Sequence, residues 1–468
     1  MKDNPSQIFR EIVKEHALPL FCGVSLEETL SDLLISNQIY QYDVKWKRLT
    51  CWLNRALMVR YWLYPLRSNN PLPAFPKGQL LVTWMDGSSR FTDLVLPVLQ
   101  QLTDDHSCVV LYGNQNVTQF VPNEVQCIAW DELHSFEVKD WRVEYSLSKP
   151  KWRVWIKSIC RQYELPIGAA EALHFWLMIS SQQVMACIAF LKLNSPSVIV
   201  TDYDRNMKWS CLVLAARSLG ISTVTLVHGD MGKDAASYSP VIADKIICWG
   251  EFGREQLITA GERDENIFVG GCPRMSCDLS ATSGDSRVKL GLDLLKPVIM
   301  YLATIPTDKT HLDLFCQALE SLDFALGVVR LHPVYKLSSY SAFIDQYPSV
   351  KFYESNQVSV DESIASADVV VFHSSNMGND VLNKRCPLVL LDIEEQPSGL
   401  GRDVVTLAGC PHVRTLQELV DVLRDILLDD SFRRELVLAA EPYVGSISSA
   451  YGVESARLTA NIIGQVAK

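Results

Sequence analysis

The chain has 468 residues, of which 48% are apolar and 21% are charged. These values are close to the globular average and exclude disorder, collagen and coiled coil as the main architecture. The length predicts two large domains or three small ones. The 54 acidic and 43 basic residues give a net charge of −11. That balance argues against a nucleic-acid binder, which usually carries a basic surplus.

The cysteines and the N-terminus indicate a cytoplasmic protein. The 13 cysteines follow no metal-binding or redox spacing, so we expect reduced residues that fill the core. The charged N-terminal residues form no signal-peptide pattern. No apolar stretch reaches the ~18 residues of a membrane span. We therefore expect a soluble protein, and contact with the inner face of the cell membrane stays open.

Residues 1–76 are expected to form an N-terminal helical arm that ends in a proline-rich linker, SNNPLPAFPKG at 68–78. The simplest interpretation of the arm is an appended helical layer. The alternative is a surface for a membrane or a partner protein, because basic side chains alternate with its aromatic ones. These basic residues are Lys45, Lys47, Arg48, Arg55 and Arg60.

From residue 77 to residue 278, short apolar runs alternate with helix-length segments. The runs are rich in Val and Ile and lack strict alternation, which is typical of parallel strands buried on both faces. The stretch 151–193 indicates long helices, so this domain carries a helical insertion. The runs lie at 79–84, 107–112, 197–202, 222–228 and 245–249.

A second alternating series occupies residues 279–445. Two successive series predict an α/β protein with two doubly wound, Rossmann-like domains that face each other. Residues 446–468 are expected to form a terminal helix that returns to the first domain. Ligands of such sheets bind at the carboxyl ends of the strands. The runs of this series are 297–303, 325–332, 350–354, 368–374 and 387–392.

Two strand ends in the second domain are candidates for a phosphate site. An arginine and a histidine at one end can donate to a phosphate, and hydroxyls before a helix at the other can bind an anion. Each feature alone also fits a structural role, such as helix capping, but their occurrence in one domain favours a phosphate site. The residues are Arg330, His332, Pro333, Ser374, Ser375 and Asn376.

The turn GGCPRM after a short strand adds Gly271 and Arg274. The glycine allows close backbone approach, and the arginine can reach an anion. We therefore include both among the candidate donor-binding residues, close to the expected boundary between the domains.

Four side chains at strand ends of the first domain are candidates for a general base, because a carboxylate or an imidazole can accept a hydroxyl proton. They are ranked with Asp202 and Asp204 first, His228 second and Asp86 third. Arg205 is expected to hold one of the two neighbouring carboxylates ionised. The alternative for Asp86 is a helix cap. Asp202 and Asp204 also match a D-x-D metal motif, but no third ligand is near in sequence, and we expect no metal.

Several motifs are absent from the sequence. There is no GxxxxGK[ST] loop, GxSxG elbow, HExxH motif or GxGxxG after the first strand. Their absence argues against P-loop nucleotidases, serine hydrolases, zincins and ordinary nicotinamide dehydrogenases.

In this order of motifs the chain resembles a GT-B glycosyltransferase of the bacterial surface-polysaccharide type, over residues 77–468. The matching motifs are an HG strand end, a GxPR turn, an R-x-HP strand end and an ADxxxxxSS strand end. They correspond here to His228–Gly229, Gly271–Arg274, Arg330–Pro333 and Ala367–Ser375.

The HP and SS pair is shared by members that use cytidine nucleotides, which include sialyltransferases, Kdo transferases and glycerophosphotransferases. The resemblance to sialyltransferases implies that His332, Ser374 and Ser375 bind the phosphate of CMP. It also implies a base from a D/E-D/E-G motif, to which Asp86–Gly87 is similar, with Met85 in place of the first acid. The resemblance to glycerophosphotransferases favours His228 instead.

The resemblance therefore implies transfer of a sugar, most simply a CMP-activated acidic sugar such as Kdo or a sialic-acid-like sugar, to a glycan or lipid-linked glycan. No cofactor is expected besides this donor substrate. Two alternatives stay open. One is a CDP-glycerol-type transferase or a nucleotide-sugar epimerase of the same fold, and the other is a non-catalytic scaffold in a polysaccharide assembly complex.

Overall fold

The structure is a computed structural model. Of the predicted binding residues, Pro333, Ser374, Ser375 and Asn376 lie outside the residues that it describes. These are 11–12, 16–30, 33, 47–66, 71–134, 138–165, 168–229, 231, 235, 238–275, 283–303, 309–332, 334–373, 377–393 and 400–468.

The chain divides into two compact units. Unit 1 comprises Met1–Trp249, Gly253–Arg274 and Val453–Lys468, and unit 2 comprises Gly250–Phe252 and Met275–Gly452. The chain thus leaves unit 1 at Arg274 and re-enters it after Gly452, whereas the sequence placed the domain ends at 278 and 445. The chain re-enters unit 1 later than position 445 because a helix continues to Ile447 before the chain turns.

The sheet of unit 1 has seven parallel strands in the order β3-β2-β1-β4-β5-β6-β7. All five residues of β1 are buried, as expected for a strand that is covered on both faces. The order reverses between β1 and β4, which is where ligands of such sheets bind. The strands are β1 (Leu80–Trp84), β2 (Cys108–Tyr112), β3 (Gln126–Ala129), β4 (Val198–Thr201), β5 (Ser222–Leu226), β6 (Lys245–Cys248) and β7 (Ile267–Val269).

The helical insertion of unit 1 consists of two long helices, α3 and α4. Among the described residues, α4 is the one helix with the length and composition to cross a membrane, but 67% of its most apolar window is buried, as in the core helix of a folded domain. It packs against α1, α3 and α5 on one face of the sheet. The helices up to this point are α1 (Lys47–Leu63), α2 (Ser89–Asp105), α3 (Val138–Gln162), α4 (Ala169–Asn194), α5 (Met207–Ser218) and α6 (Glu251–Thr259).

The described part of the N-terminal arm is fixed to this helical layer by indole hydrogen bonds. Nε1 of Trp155 donates to the carbonyl of His16 at 2.6 Å, and Nε1 of Trp176 donates to that of Thr29 at 2.8 Å. Between these two anchors the chain makes a tight turn, in which the backbones of Phe21 and Val24 form two hydrogen bonds, and it ends in a 3₁₀ turn, Glu27–Leu30. The segment 16–30 therefore differs from the helical arm that was expected.

The sheet of unit 2 has six parallel strands in the order β10-β9-β8-β11-β12-β13, and its order reverses between β8 and β11. Asp368, from the ADxxxxxSS motif, has a structural role here. Its Oδ2 accepts from Arg287 at 2.5 Å and from the amide of Val298 at 2.7 Å. The strands are β8 (Val298–Leu302), β9 (Leu326–Arg330), β10 (Val350–Tyr353), β11 (Val369–Phe372), β12 (Leu388–Leu391) and β13 (His412–Val413).

Helices cover both faces of this second sheet, as in a doubly wound domain. Helix α13 begins with a capping box, in which the side chain of Thr415 accepts from the amide of Glu418. The helices of this part of the chain are α7 (Ser283–Lys289), α8 (Lys309–Glu320), α9 (Ser341–Gln346), α10 (Val360–Ser366), α11 (Met377–Asn383), α12 (Leu400–Leu407), α13 (Leu416–Leu428) and α14 (Asp430–Ile447).

The last helix, α15 (Gly452–Val466), packs on the face of the first sheet opposite α4, and Ile463 belongs to that core. The hydroxyls of Ser455 and Thr459 donate to the carbonyl of Gly270 at 2.9 and 3.2 Å. A Cβ at Gly270 would lie 2.5 Å from Cγ2 of Ile247 and 2.7 Å from Oγ1 of Thr459. The close approach of helix and strand end therefore requires glycine at this position.

Candidate active site

Three of the four predicted bases lie together at the carboxyl edge of the first sheet. Asp86, Asp202 and His228 follow β1, β4 and β5, which are neighbours in the sheet. They surround the point where the strand order reverses. This part of the sequence prediction therefore identified residues that the fold brings to one place.

Asp202 joins the ends of two strands. Its Oδ1 accepts from the hydroxyl of Thr83 at 3.0 Å, and its Oδ2 accepts from the amide of Met85 at 2.6 Å. The side chain is buried, and burial raises the pKa of the carboxyl to about 7, with a further contribution from the charge of Asp86. Asp202 is thus a proton-holding group near neutral pH that is poorly exposed to substrate.

Asp204 has a structural position. Its Oδ2 accepts from the amides of Ile242 and Ala243 at 2.8 and 2.9 Å, and the residue is fully buried. Burial raises its pKa, although these amides and Arg205 act in the opposite direction. The charge of Arg205 favours the ionised form of Asp204, but the loss of hydration has the larger effect on its pKa, and the expectation that Arg205 keeps a carboxylate ionised here stays a prediction.

His228 is enclosed by aromatic rings. Its ring centroid lies 4.7 Å from that of Tyr203, 5.3 Å from that of Phe91 and 5.4 Å from that of Tyr238. The hydroxyl of Tyr238 accepts from the amides of His228 and Gly229 at 2.9 and 3.0 Å. These contacts fix the HG turn, and they leave His228 only 2% exposed.

Asp86 is the most accessible of the four candidates, because its side chain is only partly buried. Its Oδ1 accepts from the amide of Ser88 at 2.8 Å, and its carbonyl accepts from Nε1 of Trp84 at 2.9 Å. The amide of Gly87 donates to Asn116 at 3.0 Å. Helix α2 has Ser88 as its N-cap residue, so Asp86 orders the turn before the helix and directs a carboxylate to the strand edge.

Gly271 and Arg274 lie after β7, at the end of the second segment of unit 1. Gly271 has a positive φ of 79°. The guanidinium carbon of Arg274 lies 5.2 Å from the ring centroid of Trp249. The predicted donor-binding residues are consequently divided, since Arg330 and His332 belong to unit 2.

Arg330 is the last residue of β9, and it is buried, with only 7% of its surface exposed. Its Nη1 lies 3.5 Å from Sδ of Met377, the first residue of α11, and its Nε has no hydrogen-bond partner in the described part of the chain. Burial lowers the pKa of the guanidinium, and Asp380 partly opposes this. A buried cation thus lies beside the point where the second sheet reverses its strand order.

His332 lies two residues beyond Arg330 and is partly buried. Its Nδ1 accepts from the amide of Val334 at 3.3 Å. Burial lowers the pKa of the imidazole, and the charge of Arg330 lowers it further. The ring is therefore neutral near pH 7, and with Nδ1 accepting, Nε2 carries the proton that can be donated to a ligand.

A cluster of histidine and aspartate side chains at the same edge was missed by the sequence interpretation. Ligand atoms of His311, His373 and Asp392 all lie within 4.8 Å of one another, a grouping that could hold a metal ion. Nε2 of His412 is 3.2 Å from Oδ2 of Asp392, and Nδ1 of His373 is 3.2 Å from the carbonyl of Leu391. The expectation of a site without metal stays a prediction.

No protein-family model and no curated protein sequence matches this chain. Solved structures do match it over most of its length. The UDP-GlcNAc 2-epimerase from Neisseria meningitidis, bound to UDP-GlcNAc, is 10% identical with a TM-score of 0.53, covering 83% of this chain and 98% of the epimerase.

Two transferases match as well. The wall teichoic acid polymerase TagF, solved with CDPG, is 13% identical with a TM-score of 0.52, over 90% of this chain and 96% of TagF. A glycotransferase of kitacinnamycin is 10% identical with a TM-score of 0.54, and the match covers 84% of this chain and 100% of the glycotransferase. At such low identity these similarities show the fold alone. The chain has the GT-B fold, with two doubly wound α/β units.

Proposed function

We propose that the protein is a GT-B enzyme that transfers a sugar from a nucleotide donor, held by unit 2, to a glycan or lipid-linked glycan acceptor, held by unit 1. The observation that carries the proposal is the buried guanidinium of Arg330 at the carboxyl edge of the second sheet. A buried charge is costly unless it is compensated. A donor phosphate is the anion that a sheet of this type binds there.

The proposed chemistry divides between the two edges. The acceptor hydroxyl loses its proton to a base on unit 1 as its oxygen bonds to the anomeric carbon. The bond from that carbon to the donor phosphate breaks, and the nucleotide leaves with the bonding electrons. Arg330 and His332 stabilise the charge that develops on the phosphate, so the mechanism needs no metal.

We assign the base to Asp86 rather than to the higher-ranked Asp202 and Asp204. Asp86 has an accessible carboxylate, whereas both oxygens of Asp202 are engaged and Asp204 holds two backbone amides. The sequence resemblance also supports Asp86–Gly87. Under this proposal Asp202 supports the site by fixing the end of β1, from which Asp86 projects.

For the donor we propose a CMP-activated acidic sugar, such as Kdo or a sialic-acid-like sugar. Support comes from the R-x-HP and SS motifs, which resemble those of enzymes that use cytidine nucleotides. We further propose that the enzyme works in the cytoplasm, at the inner face of the cell membrane where surface polysaccharides are assembled.

Nucleotide binding tests the donor site. We expect CMP and CDP to raise the melting temperature, since a ligand at 100 times its dissociation constant adds ~2.7 kcal/mol of stability. UDP and GDP should act more weakly, and cytidine, which has no phosphate, should have little effect. The measurement is thermal unfolding at equal ligand concentrations.

Arg330→Gln should remove this shift, and Arg330→Lys, which keeps the charge but not the planar donor pair, should restore part of it. The matched control is Arg424→Gln on the exposed side of α13, which should leave the shift unchanged. If none of the four nucleotides stabilises the protein, the donor site is wrong and the non-catalytic scaffold gains.

Single substitutions test the base. Asp86→Asn should lower turnover by ~10²–10⁴ while nucleotide binding survives, because loss of a general base costs about that factor. The nucleotide that stabilises the protein most identifies the activated donor, and turnover is measured with that donor. Near-normal turnover in Asp86→Asn, together with a loss in Asp202→Asn, would return the assignment to Asp202.

A second candidate is a transferase of the CDP-glycerol type, favoured by the ordered HG turn at His228 in the strand-end cluster. TagF, solved with CDPG, also matches 90% of this chain. This candidate predicts that His228→Asn abolishes turnover while Asp86→Asn does not. A thermal shift with UDP but not with CMP would instead favour the epimerase alternative.

A further inference from the structure

A groove of about 820 Å³ lies in the helical layer of unit 1, separate from both strand edges. Helices α1, α3 and α4 each contribute one side of it. Its size falls within the ~300–1,000 Å³ range of ligand pockets. Nothing in the proposed transfer reaction uses this groove.

The floor of the groove is largely apolar. Ile156 and Met178 are almost fully buried beneath it, beside the half-buried ring of Trp62. The polar groups of the floor satisfy each other, since the hydroxyl of Tyr145 lies 3.1 Å from Nε2 of His174. Such a floor accommodates an apolar chain at little cost in lost hydrogen bonds.

The rim of the groove is basic. Arg55, Lys149, Arg153 and Lys157 line it, and the acidic side chain among the lining residues, Glu171, is paired with Arg55 at 2.6 Å. This local excess of positive charge contrasts with the net charge of −11 for the whole chain.

The positive groups are close enough to disfavour one another. Burial lowers the pKa of Lys149, and the charge of Arg153 lowers it further. Burial lowers the pKa of His174 to about 4, with Lys149 and Arg153 acting in the same direction. A bound anion would relieve this repulsion.

Apolar side chains also project into solvent beside the basic rim. Val59 lines the groove and is 59% exposed, while Leu63 of α1 and Leu147 of α3 are 56% and 63% exposed. Exposed apolar residues that adjoin cations are typical of surfaces that meet amphiphiles.

We propose that this groove binds an amphipathic anion, a lipid with a phosphate headgroup. The phosphate pairs with Lys149 and Arg153, and the first part of the lipid's hydrocarbon chain lies along the floor toward Trp62 and Met178. The volume exceeds that needed by a phosphate alone, and the rim selects against a neutral lipid. The inference is independent of the transferase proposal.

Three probes separate the contributions of the phosphate headgroup and the hydrocarbon chain to binding. Dodecyl phosphate carries both, dodecyl maltoside has the same chain with a neutral head, and inorganic phosphate has no chain. Calorimetric titration below the micellar concentration should show dodecyl phosphate binding about tenfold or more tightly than either of the others, a difference of ~1.4 kcal/mol or more. Equal affinity for either partial probe overturns the proposal.

Two double variants of α3 separate the groove from general surface charge. Lys149→Gln with Arg153→Gln should weaken binding of dodecyl phosphate about tenfold or more. Lys151→Gln with Arg161→Gln removes the same charge from exposed positions that do not line the groove, and it should change the affinity less than twofold. If both variants weaken binding equally, general electrostatics explains it and the groove proposal fails.

Val59→Glu provides an independent check at an exposed position where folding is not at risk. It places a negative charge at the rim and should abolish binding without lowering the melting temperature. Vesicles of phosphatidylcholine with roughly one third phosphatidylglycerol form the last arm. If the protein sediments with these vesicles but shows no binding to monomeric dodecyl phosphate in the calorimetric titration, it binds a membrane surface rather than a single lipid. That result would overturn the proposal.

Discussion

Asp202 connects stability to pH at the level of one residue. Its carboxyl receives two hydrogen bonds, yet burial keeps its pKa at about 7. Between the unfolded pKa of ~3.9 and this value, the folded chain holds a proton that the unfolded chain has released. Stability from this group therefore falls as the pH rises through that window.

Asp202→Asn should remove this dependence. As the pH rises from ~5 to ~8, we expect the melting temperature of the wild type to fall relative to that of the variant, because the asparagine that replaces Asp202 has no proton to release there. Thermal unfolding across the pH range is the measurement. Parallel pH profiles for the two proteins would show that the carboxyl titrates normally.

Glu362 provides a control of opposite sign. Hydrogen bonds from Lys289 and from the amide and hydroxyl of Ser359 lower its pKa to about 2. Its contribution is complete above its unfolded pKa of ~4.3 and is lost as the pH falls toward 2. The effect of Glu362→Gln should accordingly be constant between pH ~5 and ~8.

Sequence reasoning located Asp202 but misjudged its surroundings. The residue follows a Val- and Ile-rich strand, which is visible in the sequence. Its contacts with Thr83 and Met85 span more than 115 positions and arise only when β4 pairs with β1. Likewise, Arg205 is adjacent to Asp204 in sequence, but the depth of burial that outweighs its charge is set by the tertiary structure.

At the scale of elements, the packing of α15 against the end of β7 depends on Gly270. Gly270→Ala should cost ~1–3 kcal/mol, because the new Cβ overlaps Ile247 and Thr459. Chemical denaturation measures the loss. An unchanged stability would mean that α15 can shift away at no cost.

Gly445→Ala is the matched control for this substitution. Gly445 lies inside α14, and nothing is within 4 Å of a Cβ placed there. Alanine should be neutral or stabilising by up to ~1 kcal/mol, since it reduces the entropy lost on forming a helix.

Strands buried on both faces were predicted well, whereas β3 and β13 were missed. The run 79–84 corresponds to β1 and the run 387–392 to β12, because continuous branched apolar residues identify strands covered on both faces. Strand β3 has only one fully buried residue, and β13 has two residues in all. Such segments take their conformation from the neighbouring strand rather than from their own pattern.

The cluster of His311, His373 and Asp392 shows the same limit for a site. His373 and Asp392 end predicted strands, but their proximity depends on the pairing of β11 with β12. His311 of α8 joins them only in the folded protein, where its ring centroid lies 4.2 Å from that of His373. No fixed spacing in the sequence encodes that arrangement.

At the scale of the whole molecule, each sheet has a core that should respond separately to substitution. Ile463→Ala removes a fully buried side chain from the core of unit 1, and Leu423→Ala does the same in unit 2. Each should cost ~2–5 kcal/mol. In differential scanning calorimetry we expect each variant to displace a different part of the unfolding profile.

If both variants displace the entire profile equally, the two units unfold as one cooperative body. In that case mutational effects in either unit report on the stability of the whole protein, and the thermal shifts expected from nucleotides cannot be assigned to unit 2 alone.

The position of α15 also has a consequence for the order in which the protein is made. Residues 453–468 complete the core of unit 1 but leave the ribosome after all of unit 2. At ~5–20 residues per second, the face of the first sheet on which α2 packs stays only partly covered for many seconds until α15 is made. Apart from Gly250–Phe252, unit 2 is translated without interruption from Met275 to Gly452, and it can fold during that interval. The second half of the chain can thus reach its native state before the first, and the apolar surface that α15 later covers is the part of the nascent chain most exposed to aggregation.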